Sequence, residues 1–217
     1  MVSVKYKDMA ENFTVCVFCG SSDGNEAVFS KTAFDVGVNL ANAGFNIVYG
    51  GGSTGLMGQV ADGAISAGAD VTGVIPKFLQ DVEVGHTGLT RKIVTDDMHT
   101  RKRIMYEKAD LFLSLPGGIG TFDETIEVLT WLQLNVFSKS LILFNINSYW
   151  DSFMEMIESS INTGFYRPRK SNFLSSVDSI QELMLKLKRF DTNQLKQDKG
   201  SPYQISKTSQ ENSFVRI

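Results

Sequence analysis

The chain has 217 residues, enough for one large domain, and its 42% hydrophobic and 21% charged residues are typical of a globular protein. Its formal net charge of −3 argues against a protein that binds nucleic acid, which needs a basic surplus or patch. The N-terminal stretch MVSVKYKDMAEN lacks the apolar segment of a signal peptide, and no apolar run is long enough to cross a bilayer. We therefore expect a cytoplasmic protein without nucleic-acid or membrane partners.

Short β-rich runs and longer helical patterns alternate along the chain. The β-rich runs predict strands at Phe13–Cys19, Asn46–Tyr49, Val71–Ile75, Arg91–Val94, Leu111–Leu115 and Leu141–Phe144. Apolar residues at helical spacing predict helices at Glu26–Ala43, Leu56–Ala67, Met98–Lys108, Phe122–Leu134, Tyr149–Ser160 and Ile180–Lys188. Because such alternation requires crossover connections, we predict an α/β, Rossmann-like three-layer fold with a mainly parallel sheet flanked by helices on both faces.

The composition also predicts how the chain is divided. We expect residues 1–12 to form an N-terminal extension and residues 13–190 a single Rossmann-like domain. Residues 191–217 are polar and are expected to form a loose C-terminal tail.

Cys16 and Cys19 have the C-x-x-C spacing of a redox pair or of half a zinc site. They lie inside an apolar strand pattern rather than at the start of a helix, and the sequence has no second cysteine pair. We therefore predict two buried, unreactive thiols and no metal site.

Three turns rich in glycine or serine follow predicted strands, namely CGSSDG, YGGGSTGLMG and LPGGIGTF. In an open parallel sheet these turns meet at the carboxyl edge, where ligands bind. Each turn also precedes a helix, whose N-terminal amides and dipole favour an anion. Together the three turns predict a phosphorylated ligand.

Two nucleotide motifs can be tested against the second turn. Gly50, Gly52 and Gly55 satisfy G-x-G-x-x-G, but they follow the second predicted strand, and the next strand ends at Pro76 and Lys77 instead of an acidic residue. This placement argues against a dinucleotide site. The Walker lysine is also missing from the turn, so a mononucleotide or a sugar phosphate is the better expectation.

The carboxylates after the third turn have two interpretations. Thr121-x-x-Glu124 has the spacing of a capping box, in which the threonine caps the helix and the glutamate hydrogen-bonds back to an amide. Alternatively, Glu124 points past a bound phosphate to the sugar, where a carboxylate stabilises an oxocarbenium-like transition state and helps to position water. Asp123 is expected to favour the helix N-terminus through its charge.

The basic run at residues 101–103 also has two interpretations. Such a run is usually a solvated face, and Arg103 fits that description. Arg101 and Lys102 lie near the start of a predicted helix, where a cation opposes the helix dipole. Pairing with a phosphate or with Glu124 would explain their position.

The combination of P-G-G-x-G-T-x-x-E at Pro116–Glu124 with M-x-x-R-K at Met98–Lys102 resembles the Lonely Guy (LOG) family. Its members are cytokinin riboside 5′-monophosphate phosphoribohydrolases, which are often mislabelled lysine decarboxylases. The resemblance extends over roughly Phe13–Tyr166. It implies hydrolysis of the N-glycosidic bond of a purine nucleoside 5′-monophosphate, such as AMP or a cytokinin riboside monophosphate, to free base and ribose 5-phosphate.

The resemblance also implies roles for individual residues. Arg101 and Glu124 would be catalytic, and we expect neither of them in the core. The positions that would contact the substrate are Ser22, Gly51, Gly52, Glu83, Lys102, Gly117, Gly118, Ile119, Gly120, Thr121 and Thr130. Asp123 replaces the glutamate common in the family, and the change keeps the charge. We expect no cofactor.

Two further expectations follow from the resemblance. A homodimer or higher homo-oligomer is implied, and apolar residues near the active-site helix could supply its interface, namely Trp131, Leu132, Leu134 and Val136. The same residues could instead simply cover the sheet. The alternative function is that of a non-catalytic carrier for a nucleotide or for a phosphorylated cofactor such as molybdenum cofactor, because the glycine-rich turns would serve a carrier equally well.

Overall fold

The computed structural model describes residues 13–80, 84–136, 139–167 and 174–188. Within these ranges the strands are β1 Thr14–Phe18, β2 Asn46–Tyr49, β3 Val71–Pro76, β4 Arg91–Thr95, β5 Leu111–Ser114, β6 Leu141–Phe144 and β7 Leu174–Val177. The helices are α1 Ala27–Asn42, α2 Gly55–Ser66, α3 Met98–Lys108, α4 Ile119–Gln133, α5 Asp151–Asn162 and α6 Ile180–Leu187. None of the helices in these ranges is both long and apolar enough to span a membrane.

All seven strands lie parallel in one sheet with the order β4-β3-β2-β1-β5-β6-β7. Helices α1, α2 and α6 pack on one face, and α3, α4 and α5 pack on the other. Alternate residues of β1 therefore enter opposite cores, with Val15 and Val17 facing one and Cys16 and Phe18 the other. The predicted Rossmann-like α/β fold is confirmed.

The predicted strands are confirmed to within one residue at each end. Most are apolar runs of the kind that a parallel sheet buries on both faces, whereas the edge strand β4 begins with two exposed charged residues, Arg91 and Lys92. Strand β7 was not predicted. It is an edge strand in which two of the four residues are serines, Ser175 and Ser176, so its apolar signal is weak. The predicted N-terminal extension and C-terminal tail lie outside the described residues, and the domain boundaries stay a prediction.

The strand order places a topological switch point between β1 and β5. The chain builds the sheet in one direction from β1 to β4 and then returns to the other side of β1. The turns after β1 and β5 therefore diverge at the carboxyl edge and leave a crevice between them. Two hydrogen bonds hold the base of this crevice together: Gly20 N–H donates to the Pro116 carbonyl over 3.0 Å, and Leu115 N–H donates to the Phe18 carbonyl over 2.9 Å.

The second glycine-rich turn brings α2 against the turn that follows β1. Met57 N–H donates to the Gly20 carbonyl over 3.2 Å. Gly55 has a φ of +59°, and a Cβ atom there would lie 2.3 Å from the main chain of Ser21 and Ser22. Glycine is therefore required at position 55 both by its dihedral angle and by this close approach.

We expect Gly55→Ala to lower the free energy of unfolding by about 2–4 kcal/mol, because a left-handed backbone and a clash with neighbouring main chain add together. Gly68→Ala is the matched control, since Gly68 has a φ of +86° but its added Cβ would meet no described residue within 4 Å. That control should cost about 1 kcal/mol. Urea unfolding measures both, and equal losses would show that the close approach at Gly55 has no energetic importance.

Candidate active site

A cavity of about 220 Å³ opens at the switch point between β1 and β5. Its wall is formed by Val17–Ser21 at the end of β1, Gly50 after β2, Met57 of α2, Met98 and Arg101 of α3, and Gly118–Thr121, Asp123 and Glu124 at the start of α4. Parts of the chain that are distant in sequence meet there because their strands end at the same edge of the sheet. We call this space the sheet-edge cavity.

Arg101 is buried in the wall of the sheet-edge cavity, with 6% of its surface exposed. Its Nη2 donates to the Gly50 carbonyl over 3.2 Å, and its Nη1 donates to the Met98 sulfur over 3.7 Å. The buried Nε has no hydrogen-bond partner among the described residues. An unsatisfied buried donor is costly, so the packing around the guanidinium must hold it in this position.

Gly50 makes this position of the arginine possible. A Cβ atom at residue 50 would lie 2.2 Å from Arg101 Nη2 and 3.0 Å from the Met57 sulfur. The guanidinium group therefore lies directly against the main chain. The sequence alone did not identify Gly50, Met57 or Met98 as site residues, although Met98 belongs to the M-x-x-R-K motif.

Glu124 lies in the same wall and is also buried, with 8% of its surface exposed. The structure therefore brings the two residues expected to be catalytic into one cavity. Although both are buried, neither belongs to the two hydrophobic cores, in agreement with the expectation, because they line the cavity at the edge of the sheet. A buried carboxylate and a buried guanidinium in one cavity provide an acid or base and a fixed cation for a ligand.

The N-terminus of α4 points into the sheet-edge cavity without a side-chain cap. The helix begins at Ile119, three residues before the prediction, with Gly118 in extended conformation at the N-cap. Among the described residues no side chain caps it, so the capping box at Thr121-x-x-Glu124 is wrong. The first amides of a helix have no partner within the helix, and here they remain available to an anion.

The glycines of this turn differ in what surrounds them. A Cβ atom at Gly117 would lie 2.1 Å from Thr121 Oγ1 and 2.7 Å from Gly20 N, so the packing of the protein itself requires glycine there. At Gly118 and Gly120 a Cβ atom would meet no atom of the described residues within 4 Å. Because none of the described residues explains the missing side chains, close approach of a ligand to the main chain is the better explanation.

Lys102 is buried beside the sheet-edge cavity but does not line it. Its Nζ lies 3.0 Å from Asp123 Oδ2 and 2.7 Å from Glu127 Oε2. Burial opposes the charge of Lys102, but the hydrogen bonds and charges of Glu127 and Asp123 outweigh it and raise the pKa of the lysine. Asp123 therefore pairs with a lysine, and the expectation that it mainly serves the helix N-terminus is wrong, since it lies in the second turn of α4.

The remaining residues expected to contact a substrate lie at different distances from the cavity. Ser22 and Gly117 line a neighbouring, more apolar cavity of about 290 Å³. Gly51 and Gly52 are in a turn that pairs with residues 84–86: His86 N–H donates to the Gly51 carbonyl over 3.0 Å, and Gly52 forms a bridge with Gly85. Thr130 is exposed and donates to the Ile126 carbonyl of its own helix. Glu83 lies outside the described residues.

The two cysteines are buried and unpaired, as predicted. Cys19 lines the sheet-edge cavity and belongs to the core under α1, α2 and α6, whereas Cys16 belongs to the core under α3, α4 and α5. Burial, followed by the negative charge of Glu124, raises the pKa of each thiol. Thiols with raised pKa values are poor nucleophiles. Across the described ranges, His, Cys, Asp and Glu do not form a group of three or more that could hold a metal ion.

The chain was compared with known proteins. The profile of the family described as "Possible lysine decarboxylase" matches residues 57–187. The chain is 42% identical over 177 residues to "Probable cytokinin riboside 5′-monophosphate phosphoribohydrolase LOGL3" of Oryza sativa subsp. japonica. The aligned region covers 81% of this chain and 83% of that protein. It is 38% identical over 176 residues to "Cytokinin riboside 5′-monophosphate phosphoribohydrolase LOG1" of Arabidopsis thaliana, with 81% and 83% covered. The chain belongs to the LOG family.

The LOG-type fold also occurs in proteins of another kind. The structure of the molybdenum cofactor carrier protein of Chlamydomonas reinhardtii superposes with a TM-score of 0.62 over 85% of this chain and 97% of that chain. The two sequences are 19% identical, so this likeness shows the fold alone.

The family description and the names of the LOG relatives disagree about the chemistry. Decarboxylation of lysine with pyridoxal phosphate requires a lysine that forms a Schiff base with the cofactor. The charged residues in the described wall of the sheet-edge cavity are Arg101, Asp123 and Glu124, with no lysine among them. The site therefore fits the names of the relatives better than the family description.

We expect Gly120→Ala to stabilise this LOG-family protein by about 0.5–1 kcal/mol while weakening the binding of inorganic phosphate about tenfold. Alanine favours a helix more than glycine does, but its methyl group would occupy the open space beside the α4 amides. Ser152→Ala, at the corresponding second position of α5, is the control. Urea unfolding and phosphate-dependent thermal shifts measure both effects, and an unchanged phosphate affinity would contradict the assignment of this turn.

Proposed function

We propose that the protein hydrolyses the N-glycosidic bond of purine nucleoside 5′-monophosphates, of the adenosine or cytokinin riboside type, and releases free base and ribose 5-phosphate. The observation that carries the proposal is that Arg101 and Glu124 are both buried in one cavity, beside an uncapped helix N-terminus. The names of the LOG relatives support the same reaction.

The N-terminus of α4 is suited to bind the 5′-phosphate. The amides of residues 119–121 lack partners within the helix, and the helix dipole favours an anion. In the proposed complex Gly118, Ile119, Gly120 and Thr121 surround the phosphate through main-chain amides and one hydroxyl group. Anchoring the phosphate places the ribose against the rest of the cavity wall, where Arg101 and Glu124 lie.

The proposed reaction breaks the bond between C1′ of the ribose and N9 of the base. As that bond lengthens, positive charge develops on C1′ and the ring oxygen, and the nearby Glu124 carboxylate stabilises it. Glu124 also orients a water molecule towards C1′ and accepts its proton as the new C–O bond forms. The bonding electrons leave with N9, which takes up a proton from solvent as the base departs, and Glu124 then returns the proton it accepted to solvent, so that one water molecule is consumed overall. Arg101 holds the sugar and the carboxylate in a fixed arrangement.

A non-catalytic carrier remains the second candidate function, because the carrier of C. reinhardtii shares the fold. Helix amides and open glycines would serve a carrier as well as an enzyme. The buried carboxylate of Glu124 distinguishes the two, since a site that only holds anions gains nothing from a negative charge in its wall. We therefore favour the enzyme.

We also propose that the protein is a homodimer or a higher homo-oligomer. Of the residues expected at an interface, Leu132 is buried and Trp131 and Val136 are partly buried against the core that contains α4, so these three also cover the sheet. Leu134 is exposed, with 59% of its surface accessible, and Ile119 and Ile126 are also exposed, at 80% and 44%. These exposed side chains on and beside α4 support contact with a second copy next to the site.

We expect Glu124→Gln and Arg101→Lys each to slow the release of base by about 10²- to 10⁴-fold, because each removes one group from the reacting centre while keeping its approximate volume. The substrates are AMP and N6-isopentenyladenosine 5′-monophosphate, and chromatography of the released base measures turnover.

Glu158→Gln on α5 is the matched control, since it makes the same chemical change on an exposed surface and should leave turnover unchanged. Wild-type turnover by either buried-site variant would remove the catalytic assignment. A wild-type protein that binds both nucleotides tightly without releasing base would instead be a carrier.

A further inference from the structure

A second group of charged and polar side chains joins α3 to α4 beside the sheet-edge cavity. Lys102 Nζ bonds both Asp123 and Glu127, at 3.0 and 2.7 Å. The hydroxyl of Tyr106 donates to Glu127 Oε2 over 2.9 Å. We call Lys102, Tyr106, Asp123 and Glu127 the α3–α4 ladder.

The spacing of these residues fixes how the two helices face each other. Lys102 and Tyr106 are four residues apart on α3, and Asp123 and Glu127 are four residues apart on α4. Each pair therefore lies on one side of its helix, one turn apart. Contacts at two successive turns restrict both sliding and rotation of one helix relative to the other.

The residues expected to be catalytic are the immediate neighbours of the ladder in sequence. Arg101 precedes Lys102 on α3, and Glu124 follows Asp123 on α4. Both neighbours line the sheet-edge cavity, whereas Lys102 and Glu127 do not. Any shift of α3 against α4 would thus change the position of Arg101 relative to Glu124.

The ladder is sufficiently buried for its contacts to matter. The side chain of Lys102 is 10% exposed and that of Glu127 is 24% exposed, while that of Asp123 is 56% exposed. Tyr106 is 1% exposed. Solvent screens the contact between the largely buried Lys102 and Glu127 much less than it screens a surface ion pair. The Lys102–Glu127 contact should therefore contribute more than the contact of Lys102 with the more exposed Asp123.

We propose that Lys102 and Glu127 are positioning residues, which act on the reaction by holding α3 and α4 so that Arg101 and Glu124 face each other across the substrate. This inference rests on the proposed function. It assigns a role to Glu127 and Tyr106, which neither the motifs nor the family resemblance singles out. It also gives Lys102 a different role from the direct substrate contact that the resemblance implies.

The two roles for Lys102 predict different kinetics. The lysine ammonium group has three N–H donors, and two carboxylates already accept from it. A lysine that also bound the substrate would contribute to affinity, so its loss would raise KM and weaken inhibition by ribose 5-phosphate. A positioning lysine contributes only through the geometry of the reacting groups, so its loss lowers kcat and leaves both affinities nearly unchanged.

The test is a double-mutant cycle with Lys102→Met and Glu127→Met, which keep side-chain length and remove charge. We expect each single variant to lower kcat by about tenfold or more, with KM and the inhibition constant of ribose 5-phosphate within about twofold of wild type. The double variant should lose no more than about threefold beyond the worse single variant, because both changes break the same contact.

Lys31→Met on α1 and Glu158→Met on α5 make the same changes on exposed surfaces and serve as controls. Circular dichroism and urea unfolding check folding, and Tyr106→Phe, with an expected loss in kcat of a few-fold, replaces Lys102→Met if that variant does not fold. A rise in KM at unchanged kcat, or losses that multiply in the double variant, would overturn the positioning role alone. A wild-type protein that releases no base would overturn both proposals.

Discussion

The guanidinium of Arg101 lies against the main chain at Gly50, and the remaining geometry of the site follows from that contact. Because residue 50 has no side chain, Nη2 reaches its carbonyl while Nη1 reaches the Met98 sulfur. Arg101 then lies in the wall of the cavity that Glu124 also lines, with its Nε atom buried and without a described partner. The cation is therefore fixed before any ligand binds, and its electrostatic effect needs no reorganisation of the site.

This contact also explains a sequence pattern that resembles a dinucleotide fingerprint. Of the three glycines in G-x-G-x-x-G, Gly50 makes room for Arg101, and Gly55 lets α2 approach the turn after β1. Gly52 accepts from the Tyr49 hydroxyl and bridges to Gly85. The contacts that account for Gly50 and Gly55 are thus within the protein. The pattern reflects close packing of main chain and side chain at a sheet edge, which a dinucleotide site would need for a different reason.

The sequence predicted well those elements with a strong local pattern, and it missed elements whose local signal was weak or misleading and contacts between different helices. Six strands followed from β-rich runs, but β7 is an edge strand with too few apolar residues to be recognised. The start of α4 was misplaced because the spacing of Thr121 and Glu124 matches a cap that the structure does not form. The partners of Lys102 lie on another helix, so only the packing of α3 on the sheet beside α4 reveals them.

The charge that Glu124 places at this site is what makes a purely carrying function a poor fit. Burying a carboxylate costs free energy, and a negative charge near the start of α4 repels the phosphate that the helix attracts. A carrier would avoid both costs with a neutral amide of the same shape. In an enzyme that cleaves a glycosidic bond, both free-energy costs are offset at the transition state, because the carboxylate is already in place when positive charge appears on the sugar. Under the proposed function, the site favours the charge that develops during the reaction over the charge of the bound ligand.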